Sequence, residues 1–152
     1  MANINFDNGL KTFEINNDPN RTITFNPNDL NLVKRLMEAE KNIKGMIKEA
    51  QNNRTQRTNG VDIEAFNKLI DVEKECRKQF DYIFGEDGYA DIVFGNQSLF
   101  SVSKGKTIVE NFISGLINVV SPMMSAEQEK FNKNVNKYKS QYDRKPTSNV
   151  NH

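Results

Sequence analysis

The feature that most constrains the fold of this chain is a pair of glycines, Gly85 and Gly95, each of which follows a short apolar pattern. Glycine adopts the left-handed conformation that ends a helix without the steric penalty of a Cβ atom. Residues 76–84 carry apolar side chains at helical spacing, and residues 89–94 form one apolar turn. The segment therefore predicts a helix, a bend and a short helix, which together act as a packing element.

Ahead of this segment, the first 25 residues alternate apolar and polar side chains in three short runs, a pattern typical of β-strands. A hairpin turn signal, Asp7-Asn8-Gly9, separates the first two runs. We therefore expect a β-meander over residues 1–25, with strands at 4–6, 11–15 and 21–25. Its apolar face needs a cover, because an isolated hairpin is only marginally stable.

The rest of the chain has the spacing of helices. A helical core is expected over residues 26–120, and Pro122 is expected to end its last helix because proline lacks an N–H group. A capping box at 125–128 then begins a separate amphipathic helix, predicted over 121–142. A disordered polar tail is predicted at 143–152. The predicted fold class is α+β, mainly α-helical, with a small β-meander packed on a helical core.

The predicted last helix carries a narrow apolar stripe among lysines. A stripe this narrow, on a helix this charged, suits docking on a partner protein or on another copy of the chain. The alternative is that the helix packs across its own domain. The stripe and the adaptable methionines before it form the candidate partner-binding set: Met123, Met124, Phe131, Val135, Tyr138 and Tyr142.

Composition argues against most other classes of function. The net charge is +1 over 152 residues, so the totals give no reason to expect nucleic acid or an anionic membrane as partner. The chain has a single cysteine, Cys76, which excludes an intramolecular disulfide. A nucleophilic cysteine needs a histidine partner, and the only histidine, His152, is far away in the sequence. No long apolar run predicts a membrane span. We expect no catalytic residues, no cofactor and no metal, because no catalytic or metal-ligating constellation is present in the sequence.

Three local patterns suggest chemistry, and each has a plainer interpretation. Residues 103–107 end like a phosphate-binding loop, but Phe100 stands where that pattern needs its first glycine. Carboxylates between 81 and 91 suit a hard cation, although acids beside a helix start are ordinary. Basic residues between 41 and 57 suit phosphate groups, although the interspersed acids favour a solvated surface.

The layout resembles the small tail assembly chaperones of long-tailed, siphovirus-type bacteriophages from Gram-positive hosts. Three parts carry the likeness over residues 11–120: the β segment at 11–15, the capped helix after Asn26, and the module from Cys76 to Gly95. In those proteins a helix ends in an FGEG-like turn, a second turn ends in Phe-Gly, and a closing helix follows. The same order is found in this sequence.

The resemblance implies a chaperone that binds the long helical tape measure protein in the host cytoplasm and is displaced as the tail tube assembles around that protein. The tail tube protein would be a second partner, and self-association stays open. An alternative is a structural virion component, such as a head–tail connector or tail completion subunit, which would form a closed ring. A third is a small regulatory protein whose basic segments bind nucleic acid, with steep salt dependence.

Overall fold

The computed structural model describes the backbone of residues 1–55 and 63–147, and their side chains except at 53–55, 138 and 140–147. The elements, in chain order, are β1 (Lys11–Ile15), β2 (Asp18–Phe25), α1 (Leu30–Thr55), α2 (Ile63–Phe84), α3 (Tyr89–Phe94), β3 (Val102–Ser103), β4 (Lys106–Thr107) and α4 (Ile108–Thr147). Helices supply most of the structure, and a small hairpin packs on them. This confirms the predicted α+β, mainly α-helical class.

The antiparallel hairpin of β1 and β2 supplies one apolar face to the core. Asn16 and Asn17 join the strands with φ angles of 51° and 61°, as a tight two-residue hairpin turn requires. Asparagine tolerates this left-handed region better than most residues that carry a Cβ atom. Ile15, Ile23 and Phe25 are buried on the face that the helices cover.

The three-stranded meander predicted over residues 1–25 is wrong in its first strand, because residues 1–10 form no strand. The side chains of Asp7 and Asn8 accept hydrogen bonds from the backbone N–H groups two residues ahead. The Asn26 side chain donates to the Asn8 carbonyl at 3.1 Å. These bonds tie the turn to the chain that enters α1, so the turn does not fold the first segment back onto β1.

The two glycine stops lie where the sequence predicts them. Gly85 ends α2 with a φ of 70°, and its N–H donates to the Asp81 carbonyl at 3.0 Å, while Gly95 ends α3 with a φ of 58°. In the bend between the two glycines, the backbone N–H groups of Gly88 and Ala90 donate hydrogen bonds to the Asp81 carboxylate, at 3.0 Å and 2.7 Å. These bonds satisfy free donors at the start of α3, so an acid on α2 fixes the position of the next helix.

Aromatic rings at these corners form the centre of the core. The Phe80 side chain is fully buried, and its ring centroid lies 4.9 Å from that of Phe94 and 5.0 Å from that of Phe112. Edge-to-face pairs of this kind contribute about 0.5–1.5 kcal/mol beyond the area they bury. The rings therefore join α2, α3 and α4, as expected of a packing element.

A polar network on α2 holds the loop that leads to α4. The Glu73 carboxylate accepts hydrogen bonds from the Ser98 hydroxyl at 2.9 Å and from the Leu99 N–H at 3.0 Å. Arg77, one turn later, donates to the Gly95 carbonyl at 2.9 Å. The loop is thus fixed before the chain reaches β3, β4 and the start of α4.

The helix α4 runs without interruption from Ile108 to Thr147, so the predicted break at Pro122 is wrong. A proline inside a helix removes one backbone hydrogen bond, whose acceptor here would be the Asn118 carbonyl. Both residues lie on an exposed part of the helix. Water can therefore replace the missing donor, and the helix continues.

The continuity of α4 changes the predicted organisation. The amphipathic helix predicted over 121–142 is the second part of α4, whose first part belongs to the helical core. Of the polar tail predicted to be disordered at 143–152, residues 143–147 continue α4 and residues 148–152 lie outside the described residues.

Candidate partner-binding surface

The second part of α4 extends away from the core. Every residue from 125 to 137, here called the distal half of α4, is exposed on all sides of the helix. In the first part, Val109, Ile113, Leu116 and Val120 are buried. At about 1.5 Å per residue, the exposed stretch is roughly 20 Å long. Because an isolated helix of this length is marginal in water, a covering partner would stabilise it.

An apolar stripe runs along the distal half from the edge of the core into solvent. Met124 is half-buried against the core. Phe131, seven residues later, is 61% exposed, and Val135 is 43% exposed. At about 100° per residue these three side chains share one face of the helix. The stripe is therefore a row of three apolar side chains, interrupted by the polar Glu127 and Gln128 between Met124 and Phe131. One end lies against the core and the other is exposed to solvent.

The other three members of the predicted partner-binding set either lie at the edge of the stripe or have side chains outside the described residues. Met123 is half-buried but stands about a quarter of a turn from Met124, at the edge of the stripe. Tyr138 and Tyr142 lie on α4 and continue the spacing in sequence, but their side chains fall outside the described residues.

Polar side chains around the stripe form short-range pairs along the helix. Lys130 makes an exposed ion pair with Glu127 at 3.5 Å, and the Gln128 side chain donates to the Asn132 side chain at 3.1 Å. Such pairs contribute only a few tenths of a kcal/mol. The capping box predicted at 125–128 is wrong, because Ser125 lies inside a continuous helix.

A groove with both apolar and polar walls lies between the hairpin and the first part of α4. Its volume is about 550 Å³. Its apolar walls include Phe13, Ile23, Phe94, Phe112, Leu116 and Val119. Arg21 also lines it, and its guanidinium donates to the carbonyls of Ile92 and Val93 at the end of α3. The groove, like the stripe, is suited to an apolar contact.

The pattern at 103–107 is a tight hairpin followed by a helix cap. Lys104 and Gly105, with φ angles of 56° and 79°, join β3 to β4. The Thr107 hydroxyl donates to the Glu110 carboxylate at 2.8 Å, and the same carboxylate accepts the Thr107 N–H at 3.1 Å. This is a capping box at the start of α4. The threonine that a phosphate-binding loop would use is buried and bound to Glu110.

The acidic cluster at 81–91 and the described part of the basic run also make structural bonds, while the side chains of Arg54 and Arg57 lie outside the described residues. Besides the Asp81 cap, Asp91 accepts a hydrogen bond from Arg77 at 2.7 Å. In the described part of the chain, no group of three or more metal-ligating side chains comes together. On α1, Lys44 pairs with Glu40 at 3.1 Å on an exposed face.

Burial decides the chemistry of Cys76. Its removal from water, with a further contribution from the Glu73 carboxylate, raises the pKa of the thiol to about 12. Because the thiolate is the reactive form, the group behaves as a small apolar side chain, as the sequence predicts. On the surface, the Tyr82 hydroxyl donates to the Glu38 carboxylate at 2.6 Å, and this bond raises the pKa of Tyr82.

One helix within the described residues, Ile108–Lys137, is long and apolar enough to cross a membrane by length and composition alone. This differs from the sequence-based expectation, which counted uninterrupted apolar runs and therefore stopped at Asn, Ser and Gly. Core helices of globular proteins pass the same test, although they are mostly buried, whereas 22% of the apolar window is buried here. A single helix of this kind is weak evidence of a membrane span.

Comparison of the chain with protein-family models, curated proteins and solved structures gives no match.

Proposed function

We propose that this protein is a tail assembly chaperone of a long-tailed bacteriophage and binds the tape measure protein through the stripe on the distal half of α4. The observation that carries the proposal is the exposure of this stripe, with Phe131 at 61% and Val135 at 43%. The resemblance of residues 11–120 to such chaperones suggests the identity of the partner, and that of the tail tube protein as a second one.

The stripe suits a helical partner. Amphipathic helices recognise each other through apolar anchors at spacings of three, four and seven residues, and Met124, Phe131 and Val135 supply such anchors. Aromatic residues, phenylalanine included, and methionine are enriched at protein interfaces relative to the rest of the surface. Methionine adapts to irregular surfaces, which suits a protein that binds many sites along one long partner.

Charge around the stripe specifies the partner further. Between 125 and 139 the helix has four lysines and two glutamates, a difference of two positive charges. Lys130, Lys133, Lys137 and Lys139 are exposed. A partner helix with acidic residues beside its apolar face would therefore associate faster than a basic one, and more so at low salt.

Weak individual contacts fit the proposed role. A chaperone that must later leave cannot bind each site tightly, yet many copies on one long helix together keep it covered. Tube subunits that bind the same helix would then displace the copies one at a time. A single narrow stripe supplies contacts of this kind.

The proposal is tested by co-expression with the longest helical, tape-measure-like protein encoded nearby, followed by purification on a tag carried by that partner. We expect a soluble complex with many copies of this chain per partner. Phe131→Asp should weaken binding by about 30-fold or more, the effect of removing one strongly contributing residue. Asn136→Asp is the matched control, because it adds the same charge on the opposite side of the same helix.

Equal binding by the two variants would contradict the assignment of the stripe. Absence of any complex, together with a closed ring of many copies formed by the protein alone, would favour the alternative of a head–tail connector or tail completion subunit.

A further inference from the structure

The chain ahead of β1 exposes four large apolar side chains to solvent: Met1, Ile4, Phe6 and Leu10. Residues 1–8, here called the arm, are all exposed. Ile4 is 86% exposed and Phe6 is 76% exposed, with the polar Asn5 between them. This alternation places both apolar side chains on one face of an extended strand. The arm therefore has the pattern of a strand, yet its apolar face is not covered by any part of the chain that the structure describes.

The base of the arm is fixed to the body. Asn8 is held by the Asn26 side chain at 3.1 Å. The next residue, Gly9, has a φ of 73°, and a Cβ atom there would lie 2.7 Å from the Asn26 side-chain nitrogen. The arm thus leaves from a defined point beside the start of β1, and its seven or so residues can extend over roughly 20 Å.

The groove beside the hairpin matches the arm in chemistry. Phe13 and Ile15 of β1 line it, and β1 pairs only with β2 within the described chain, so one edge of β1 has no strand partner there. Phe13, Leu116 and Val119 give it an apolar lining, and Val119 is 45% exposed. Its volume of about 550 Å³ exceeds the roughly 150 Å³ that holds one benzene-sized group.

We infer that the arm of a second copy of this chain adds to the free edge of β1 and places Ile4 and Phe6 in the groove. The sequence predicts a third strand on this sheet, the structure leaves that place empty, and the segment with the right pattern lies exposed in the same chain. In the structure residues 1–8 form no strand with their own β1 and their side chains are exposed, so a second copy is the occupant. Mutual exchange of two arms closes a dimer, since each copy offers one arm and one groove.

This inference does not depend on the proposed function, because the groove and the stripe are different surfaces. It is tested by sedimentation velocity of the full chain at several concentrations. We expect a dimer that Ile4→Asp and Phe6→Asp each convert to monomer, with at least a tenfold rise in the dissociation constant. Asn5→Asp, which adds the same charge between them on the other face of the strand, should leave the dimer unchanged.

The groove side offers a test that separates docking from folding. Gly115 lines the groove, and a Cβ atom there would meet nothing within 4 Å. Gly115→Leu should therefore fill the groove and abolish the dimer, while the melting temperature stays equal or rises because a helix glycine is replaced. Gly45→Leu is the control, since that helix glycine also has open space but lies on α1.

A monomer at every concentration would overturn the inference, and so would a dimer that Gly115→Leu leaves intact. Phe131→Asp should not change the dimer. A dimer sensitive to Phe131→Asp but insensitive to Ile4→Asp would place the contact on the stripe and would also overturn it.

Discussion

The two halves of α4 carry apolar side chains on nearly the same face of the helix but have opposite surroundings. From 108 to 120 the helix is rich in apolar residues, and Val109, Ile113, Leu116 and Val120 are buried. From 125 to 137 a narrower stripe holds Phe131 and Val135 among charged residues, and Phe131 is 61% exposed. At 100° per residue, Phe131 lies only about 40° around the helix from Val109. Spacing therefore sets the helix and its apolar face, while the elements packed nearby decide whether that face is covered.

The strongest way to break this comparison is to remove one aromatic ring from each half. Phe112→Ala should lower the free energy of unfolding by about 3 kcal/mol, because its ring contacts those of Phe80 and Phe94 in the core. Phe131→Ala should change it by less than about 0.5 kcal/mol. Urea unfolding followed by circular dichroism measures both. Similar decreases in the free energy of unfolding for the two variants would show that the distal half packs against the rest of the protein.

A second test compares the real start of α4 with the start predicted at 125–128. Thr107→Ala should cost about 1–2 kcal/mol, because it removes the hydroxyl that caps the helix. Ser125→Ala should be neutral or slightly stabilising, since alanine is the better residue inside a helix. Melting temperatures would differ by several degrees. If Ser125→Ala lowered the free energy of unfolding as much as Thr107→Ala does, a helix would begin at Ser125 after all.

A third test uses pH to separate buried from exposed chemistry. The pKa of Cys76 is about 12 in the folded protein and 9.0 ordinarily, so above pH 9 the unfolded chain loses a proton that the folded chain keeps. The thiol's contribution to stability is complete below pH 9 and declines as the pH rises towards 12. The stability advantage of the native chain over Cys76→Ala should shrink by about 1 kcal/mol between pH 8 and pH 10. A constant difference would mean that the thiol is accessible to water.

The smallest effect is expected where the two halves join. Pro122→Ala restores a backbone donor inside α4 and should raise the helix content of the distal half. The global free energy of unfolding should change by less than about 0.5 kcal/mol, because an uncovered half opens separately from the core. Far-ultraviolet circular dichroism and urea unfolding together measure this. A stabilisation of several kcal/mol would show that both halves unfold as one unit.

Local chemistry in the sequence was sufficient for the features that depend on neighbouring residues. The helix ends at Gly85 and Gly95 could be predicted because they depend only on the backbone conformation at each glycine. The burial of Phe80, Phe84 and Phe94, which precede these glycines, follows from the helical spacing of the apolar residues. The α+β class likewise follows from the change of apolar period after residue 25.

Other features depend on the balance between distant parts and could not be derived in the same way. Pro122 ends a helix in most settings, but here its missing bond is exposed to water and the helix continues. The turn at Asp7 and Asn8 forms and is bound by the distant Asn26, yet no strand precedes it. The groove exists only because the hairpin and α4 lie at a particular distance, for which no local pattern gives a signal.

The most direct test of the central claim is hydrogen–deuterium exchange of the two halves of α4, read by mass spectrometry on the protein alone and with its tape-measure-like partner. We predict that amides from 125 to 137 exchange at least tenfold faster than those from 108 to 120 in the free protein, and become protected when the partner binds. Equal protection of both halves in the free protein, or no change on binding, would contradict the proposal that the distal half is an uncovered surface reserved for a helical partner.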